Sequence, residues 1–230
     1  GAMAVSMNGK IKKSPTTLEL AGRFNLAYVV RRTTALGPGD VRSAVWFQGC
    51  PLACPGCISP EWQTFKPALQ PTPQELAEWF LLDPDVHALT LSGGEPTHQS
   101  ETAAEFLRLV RQKREVSVIC FSGYTYEHLR SSPPAPGVQD LLAQVDVLVD
   151  GPFRRELAHT TLGLRGSSNQ NFIYLTDRIP AGSLEQVERK VEIHIHEDSA
   201  VMVGIPRPAV LSAFHRALTA QRMGSQRSTP

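Results

Sequence analysis

Apolar residues in this chain fall in short blocks, and their spacing alternates between strand-like and helix-like periods. Leu26-Ala-Tyr-Val-Val30 reads as a first strand, Gly37-Pro-Gly-Asp40 as a turn, and Ala44-Val-Trp-Phe47 as a second strand. Thr72-Pro-Gln-Glu75 has the form of a capping box with proline at the first helical position. Leu76, Trp79 and Phe80 continue that helix on one face until Asp83-Pro84 stops it. Val86 to Leu91 is the next strand and ends at Ser92-Gly-Gly-Glu-Pro96. Ala103, Phe106, Leu107 and Val110 mark an amphipathic helix, and Val116 to Phe121 a strand ending at Ser122-Gly-Tyr124. Helices near 125–131 and 138–144 precede a strand, Val145 to Val149, that ends at Asp150-Gly-Pro-Phe153.

Strands alternating with helices predict an α/β fold on a parallel sheet with right-handed crossovers. The unusual residues all follow strands, at the sheet edge where such folds place ligands. Beyond Asn171 the alternation breaks down. Phe172 to Leu175 reads as a last strand. Val191-Glu-Ile-His-Ile195 and Ala200-Val-Met-Val203 are expected to form a hairpin, and Pro208 to Arg222 a helix before a frayed end. Three regions follow: a tail at 1–24 that opens with a tag-like Gly-Ala-Met, a main domain at 25–175, and an extension at 176–230.

The 230 residues suffice for one sizeable core, and a formal net charge of +1 gives no general reason to expect a nucleic-acid partner. A local basic patch from Arg130, Arg154, Arg155 and Arg165 remains open. No apolar run is long enough to span a bilayer, and no secretory segment is evident, so no membrane association and a cytoplasmic location are expected.

Three of the four cysteines crowd into one loop, Cys50-Pro-Leu-Ala-Cys54-Pro-Gly-Cys57. Thiols so close in a Pro/Gly loop suit a metal centre better than a disulfide framework. Three ligands on a four-iron cubane leave one iron open for a substrate. A zinc site would need a fourth ligand, with His87 or His98 the nearest choices in sequence. Cys120, inside an apolar strand, reads as core packing. His194 and His196 share a strand face, which reads as solvated rather than as a metal pair.

The C-x3-C-x2-C loop after a strand, with Ser92-Gly-Gly-Glu-Pro96 one βα unit later, resembles the radical S-adenosylmethionine (SAM) superfamily. Gly37-Pro-Gly39, Ser122-Gly-Tyr-Thr125, Leu148-Val-Asp-Gly151 and Arg165-Gly-Ser-Ser-Asn-Gln170 stand in an order similar to that of the activating proteins of anaerobic ribonucleoside-triphosphate reductases, which are glycyl-radical-enzyme activases. The resemblance covers about residues 25–171 and implies an open partial (β/α) barrel, here with a small C-terminal hairpin and helix. It implies a [4Fe–4S] cluster on Cys50, Cys54 and Cys57, and SAM held near Gly56, Ile58, Gly93, Gly94 and Glu95. Ser122, Asp150, Ser168 and Asn169 are expected at the same edge, in ribose, carboxylate or loop-structuring roles. It further implies reductive cleavage of SAM, a 5′-deoxyadenosyl radical, a glycyl-radical enzyme as protein partner, and a donor such as flavodoxin or ferredoxin. Relatives of this kind usually end near the Gly-Ser-Ser-Asn-Gln stretch, so the extension leaves two alternatives open. One is a radical SAM enzyme acting directly on a small molecule or peptide; the other is a non-catalytic Fe–S or zinc module. Too few thiols remain for an auxiliary cluster.

Overall fold

A computed structural model describes residues 21–39, 41–158, 163–197 and 199–225. Most of the expected tail, Asp40 of the first turn and the last five residues of the frayed end lie outside them. Strands β1 (Leu26–Thr33), β2 (Arg42–Phe47), β3 (Ala88–Gly93), β4 (Ser117–Phe121), β5 (Val147–Asp150) and β6 (Asn171–Tyr174) form one sheet in sequence order. β2 to β5 run parallel. Both edges, β1 and β6, are antiparallel to their neighbours, which the uniform parallel expectation did not contain. The reason at β1 is length: the link to β2 is a short turn, and parallel neighbours need a crossover of a dozen residues or more.

Helices α1 (Pro73–Leu81), α2 (Ser100–Arg111), α3 (Tyr126–Ser131) and α4 (Val138–Leu142) make the crossovers. Thr72 caps α1 as its sequence predicts, its hydroxyl accepting from the Glu75 amide at 3.1 Å. Leu76, Phe80, Phe106, Leu107 and Leu141 pack with Val45, Leu89, Leu91, Val118 and Leu148 from one face of the sheet. Cys120 is buried on this face, and burial pushes its thiol far up from the ordinary range.

The opposite face carries Ala44, Trp46, Ile119, Phe121, Val147 and Val149, as strand alternation requires. Its cover comes from Leu164 and from the C-terminal segment, through Ile179, Leu184, Val201, Val203 and Ile205. β7 (Val191–Ile195) and β8 (Ala200–Gly204) pair antiparallel in a separate two-stranded sheet, followed by α5 (Pro208–Ser225). Along β8, Val201 and Val203 point to the large sheet while Met202 points to α5, with Phe214 and Leu218.

Polar bonds tie this cover down. Glu192 accepts from the Thr33 hydroxyl and from the Thr34 amide and hydroxyl, and His196 bonds Tyr28 at 2.6 Å. Through Glu192 and His196 this side of β7 and the residue just beyond it reach β1, while His196 itself stays exposed, in keeping with a solvated face rather than a metal pair. Fully buried Asp146 receives Arg111 at 3.0 Å, Arg178 at 2.8 Å and the Thr176 hydroxyl at 2.7 Å. These contacts fasten the start of the C-terminal segment beneath β5.

Candidate active site

The cysteine loop begins where β2 ends. Its first half is anchored by backbone: the Gly49 amide donates to the Trp62 carbonyl at 2.8 Å and the Cys50 amide to the Gln63 carbonyl at 2.9 Å. The second half is a tight coil in which the Cys57 amide donates to the Cys54 carbonyl at 3.0 Å. Ala53 takes a φ of 46° there, a left-handed conformation that costs roughly 1–2 kcal/mol for a residue with a Cβ. Strain of that kind clusters at functional sites.

β3 lies beside β2 in parallel register, with Phe47 opposite Gly93, so its end turn meets the cysteine loop. The Gly94 amide donates to the Phe47 carbonyl at 2.7 Å, and the Glu95 amide to the Gly49 carbonyl at 2.9 Å. A Cβ on Gly94 would fall onto the carbonyls of Gly49 and Trp62. Only glycine permits this approach. Gly94→Ala is accordingly expected to push the two loops apart and to weaken binding of the SAM that the family resemblance implies by about 10–100-fold, since displacement of about 1 Å costs up to that much. Equilibrium binding to the reconstituted protein checks it.

Together these loops wall one pocket at the C-terminal edge of the parallel strands, about 650 Å³ including its open mouth. Cys50, Cys54, Cys57, Ile58, Gly93, Gly94, Glu95 and Ser122 all line it. Gly56 sits in the coil between the last two cysteines, and Arg155 lies across it. Asp150, Ser168 and Asn169 are not among the lining residues. Asp150 is buried behind the wall, accepting from the Tyr126 amide at 2.7 Å and from the Asn171 side chain at 3.0 Å. The Asn169 side-chain amide donates to the Pro152 carbonyl at 2.7 Å, and the Ser168 backbone amide to the Leu157 carbonyl at 2.9 Å.

Sequence reasoning did not single out Leu52, Gln63, Phe121, Phe153 or Gln170, which also line the pocket. Phe153 and Gln170 stood at the ends of two noted motifs, so their positions carried a signal. Gln170 accepts from the Gly166 amide at 2.8 Å and donates to the Gly151 carbonyl at 3.0 Å, joining those two motifs. Leu52 lay inside the cysteine motif, whereas Gln63 carried no signal, because its contact is made across the loop.

Glu95 is buried and braces its own turn against the Ser122-Gly123 turn. It accepts from the Ser122 hydroxyl at 2.9 Å, the Gly123 amide at 2.8 Å, the Thr97 hydroxyl at 2.7 Å and the Thr97 amide at 3.1 Å. Burial pushes its carboxyl above the ordinary value, against the pull of these four donors. Burial likewise raises Cys50 to about 11, with the nearby carboxyl and thiols adding to the effect and a backbone hydrogen bond at Leu52 opposing it.

The donor set fits a three-cysteine cluster better than a zinc site. His98 stands outside the pocket lining, bonded to the Tyr124 hydroxyl at 2.9 Å and stacked on its ring. His87 precedes β3, at the end of that strand away from the thiols, beside the Glu115 carbonyl. Neither lines the pocket with the three thiols. Among the described residues, no group of three His, Cys, Asp or Glu side chains is gathered as a single bound ion requires. Three thiols along one wall of a roomy pocket suit a polynuclear cluster, in which each holds its own iron.

Comparison with known proteins agrees with this geometry. A protein-family model described as a 4Fe-4S single cluster domain matches residues 35–173. The anaerobic ribonucleoside-triphosphate reductase-activating protein of Vibrio cholerae is 34% identical over 142 residues, which is 58% of this chain and 87% of that protein. Its namesake in Escherichia coli K12 is 31% identical over 144 residues, 58% of this chain and 88% of that protein. A pyruvate formate-lyase-activating enzyme from Clostridium pasteurianum is 33% identical over 95 residues, 39% of this chain and 40% of that protein. No helix among the described residues is long and apolar enough to cross a membrane.

Proposed function

The chain belongs to the 4Fe-4S single-cluster family that includes the anaerobic ribonucleoside-triphosphate reductase-activating proteins, and from this premise we propose how its pocket serves glycyl-radical activation. It is an enzyme of radical SAM type that uses a [4Fe–4S] cluster and SAM. The observation that carries the reading is the convergence of Cys50, Cys54 and Cys57 with Gly93-Gly94-Glu95 on one pocket. When bound, the cluster supplies the electron that cleaves SAM into methionine and a 5′-deoxyadenosyl radical, which takes a hydrogen atom from a glycine of the partner.

The residues of this chain do the rest. The three cysteines hold the cluster. Gly93 and Gly94 let the backbone approach the methionine end of SAM closely, while Gly56 and Ile58 border it from the cysteine side. Glu95 acts mainly by holding the Ser122-Gly123 turn against the Gly-Gly turn, with its charge beside the expected position of the SAM ammonium. Asp150, Ser168 and Asn169 shape the loops behind this wall, and Gln170 and Phe153 complete it. The apolar side chains of Leu52, Phe121 and Phe153 exclude water from the reacting centre.

We read the sheet as an open partial (β/α) barrel whose inner face is closed by the segment that carries Ile179, Leu184 and the β7–β8 hairpin. The reading includes a low-potential donor such as flavodoxin or ferredoxin and a cytoplasmic location, both supported by the need to keep such a cluster reduced. The partner is a glycyl-radical enzyme such as an anaerobic ribonucleotide reductase. The test is an anaerobic assay with and without such an enzyme. The expected result is a partner-dependent rise in deoxyadenosine together with an EPR-detectable carbon radical on the partner. Deoxyadenosine that responds to a small molecule or peptide, and never to a glycyl-radical enzyme, would establish the alternative of direct substrate modification.

A further inference from the structure

The outer half of the cysteine loop has little backbone support, with the Cys57-to-Cys54 bond closing only its own turn. What holds it against the body of the protein is side-chain packing at three points. Leu52 sits against Gly123, Arg155 lies over Gly56, and Ile58 packs on a small apolar cluster of Met202, Phe214 and Leu218. The third support differs from the others in origin. Met202 lies on β8, and Phe214 and Leu218 lie on α5, all beyond residue 173 where the family match ends.

Ile58 also lines the pocket and directly follows Cys57. The cluster that the C-terminal helix builds with Met202 therefore borders the active site at Ile58. We infer that Phe214 and Leu218 are positioning residues, which fix the Cys57–Ile58 end of the cysteine loop and so set the geometry of the SAM pocket. The inference rests on the reading of the pocket as a SAM site.

The buried faces of the extension divide this work from folding. Val201, Val203 and Ile205 seal the sheet, whereas Met202, Phe214 and Leu218 form a separate cluster that includes Ile58. Shortening Leu218 leaves the sheet cover intact. It removes packing from behind the loop, and a supporting shell of this kind typically changes affinity or activity by about 10–100-fold.

The test uses the full-length, reconstituted protein carrying Leu218→Ala, Ile58→Ala or both, with Phe214→Leu as a milder change should Leu218→Ala fail to fold. The readouts are the SAM KM, the kcat for deoxyadenosine and the EPR signal of the reduced cluster with SAM. Leu218→Ala is expected to raise KM about tenfold, at the low end of that range, to alter the SAM-dependent EPR signal and to leave iron content unchanged. The double variant should be no worse than Ile58→Ala alone, because both changes disturb the same packing of Ile58 on the cluster. Leu218→Met should restore most of the affinity.

Penalties that add across the two sites, or an unchanged KM and EPR signal in a folded Leu218→Ala or Phe214→Leu protein, would overturn the inference. Absence of SAM cleavage by the unaltered protein would instead overturn the SAM reading itself, so the two failures are distinguishable.

Discussion

Cys54→Ala is expected to lower deoxyadenosine formation by roughly 10³-fold or more, to the limit of detection. Changes in groups that only orient a ligand already cost about 10–100-fold, and loss of a direct ligand exceeds that. Cys54 stands between the other two thiols in a coil already strained at Ala53, and the described residues provide no histidine or fourth pocket cysteine to replace it. The corresponding control is Cys120→Ala. Cys120 is buried on the helix-covered face, so its loss should lower stability modestly while leaving iron content and turnover intact. Iron and sulfide content, the visible absorption of the cluster and product chromatography distinguish the two variants. Equal activity in Cys54→Ala and the unaltered protein would remove the cysteine loop from the chemistry.

Removal of everything after Leu175 is expected to abolish the soluble native state. Ile179, Leu184, Val201, Val203 and Ile205 cover one face of the sheet, and each buried aliphatic side chain contributes about 1.5–3 kcal/mol. Together these match the whole net stability of an ordinary domain, about 5–15 kcal/mol. The shortened chain would expose Trp46, now fully buried, along with Ile119, Val147 and Val149. It would also strip Asp146 of the Arg178 and Thr176 partners that satisfy its buried charge. Thermal unfolding and light scattering measure the outcome. A cooperative transition near that of the full chain would mean that the sheet holds its own core without the extension.

The difference between these two predictions reflects what was legible in the sequence. The cysteine loop, the Gly-Gly-Glu turn and the Thr72 cap are local patterns, in which backbone conformation and spacing constrain residues a few positions apart. Their positions just after strands also followed from local periodicity, since β2 and β3 end where the motifs begin. Strand limits moved by a few residues, as at Val145, which is buried but precedes β5.

Contacts between distant segments were not legible. Ile179 and Leu184 sit in irregular backbone with no period, so nothing local marks them as the cover of a sheet. The antiparallel edges depend on how the chain returns, and the bonding of His196 to Tyr28 spans most of the chain. Glu95 was noticed as a possible ligand contact. Its four protein donors come partly from a loop one βα unit further on, and that brace emerges only once β3 and β4 lie side by side. The support of Ile58 by α5 is hidden for the same reason.

The central claim, that this pocket binds a cluster and uses it to cleave SAM, is tested most directly by one measurement. The full chain is reconstituted anaerobically with iron and sulfide, reduced with dithionite, mixed with SAM and analysed by chromatography for 5′-deoxyadenosine and methionine. Both products are expected in equal amounts, formed only when the cluster is reduced. A fully loaded, reduced cluster that leaves SAM intact with and without a glycyl-radical partner would contradict the central claim.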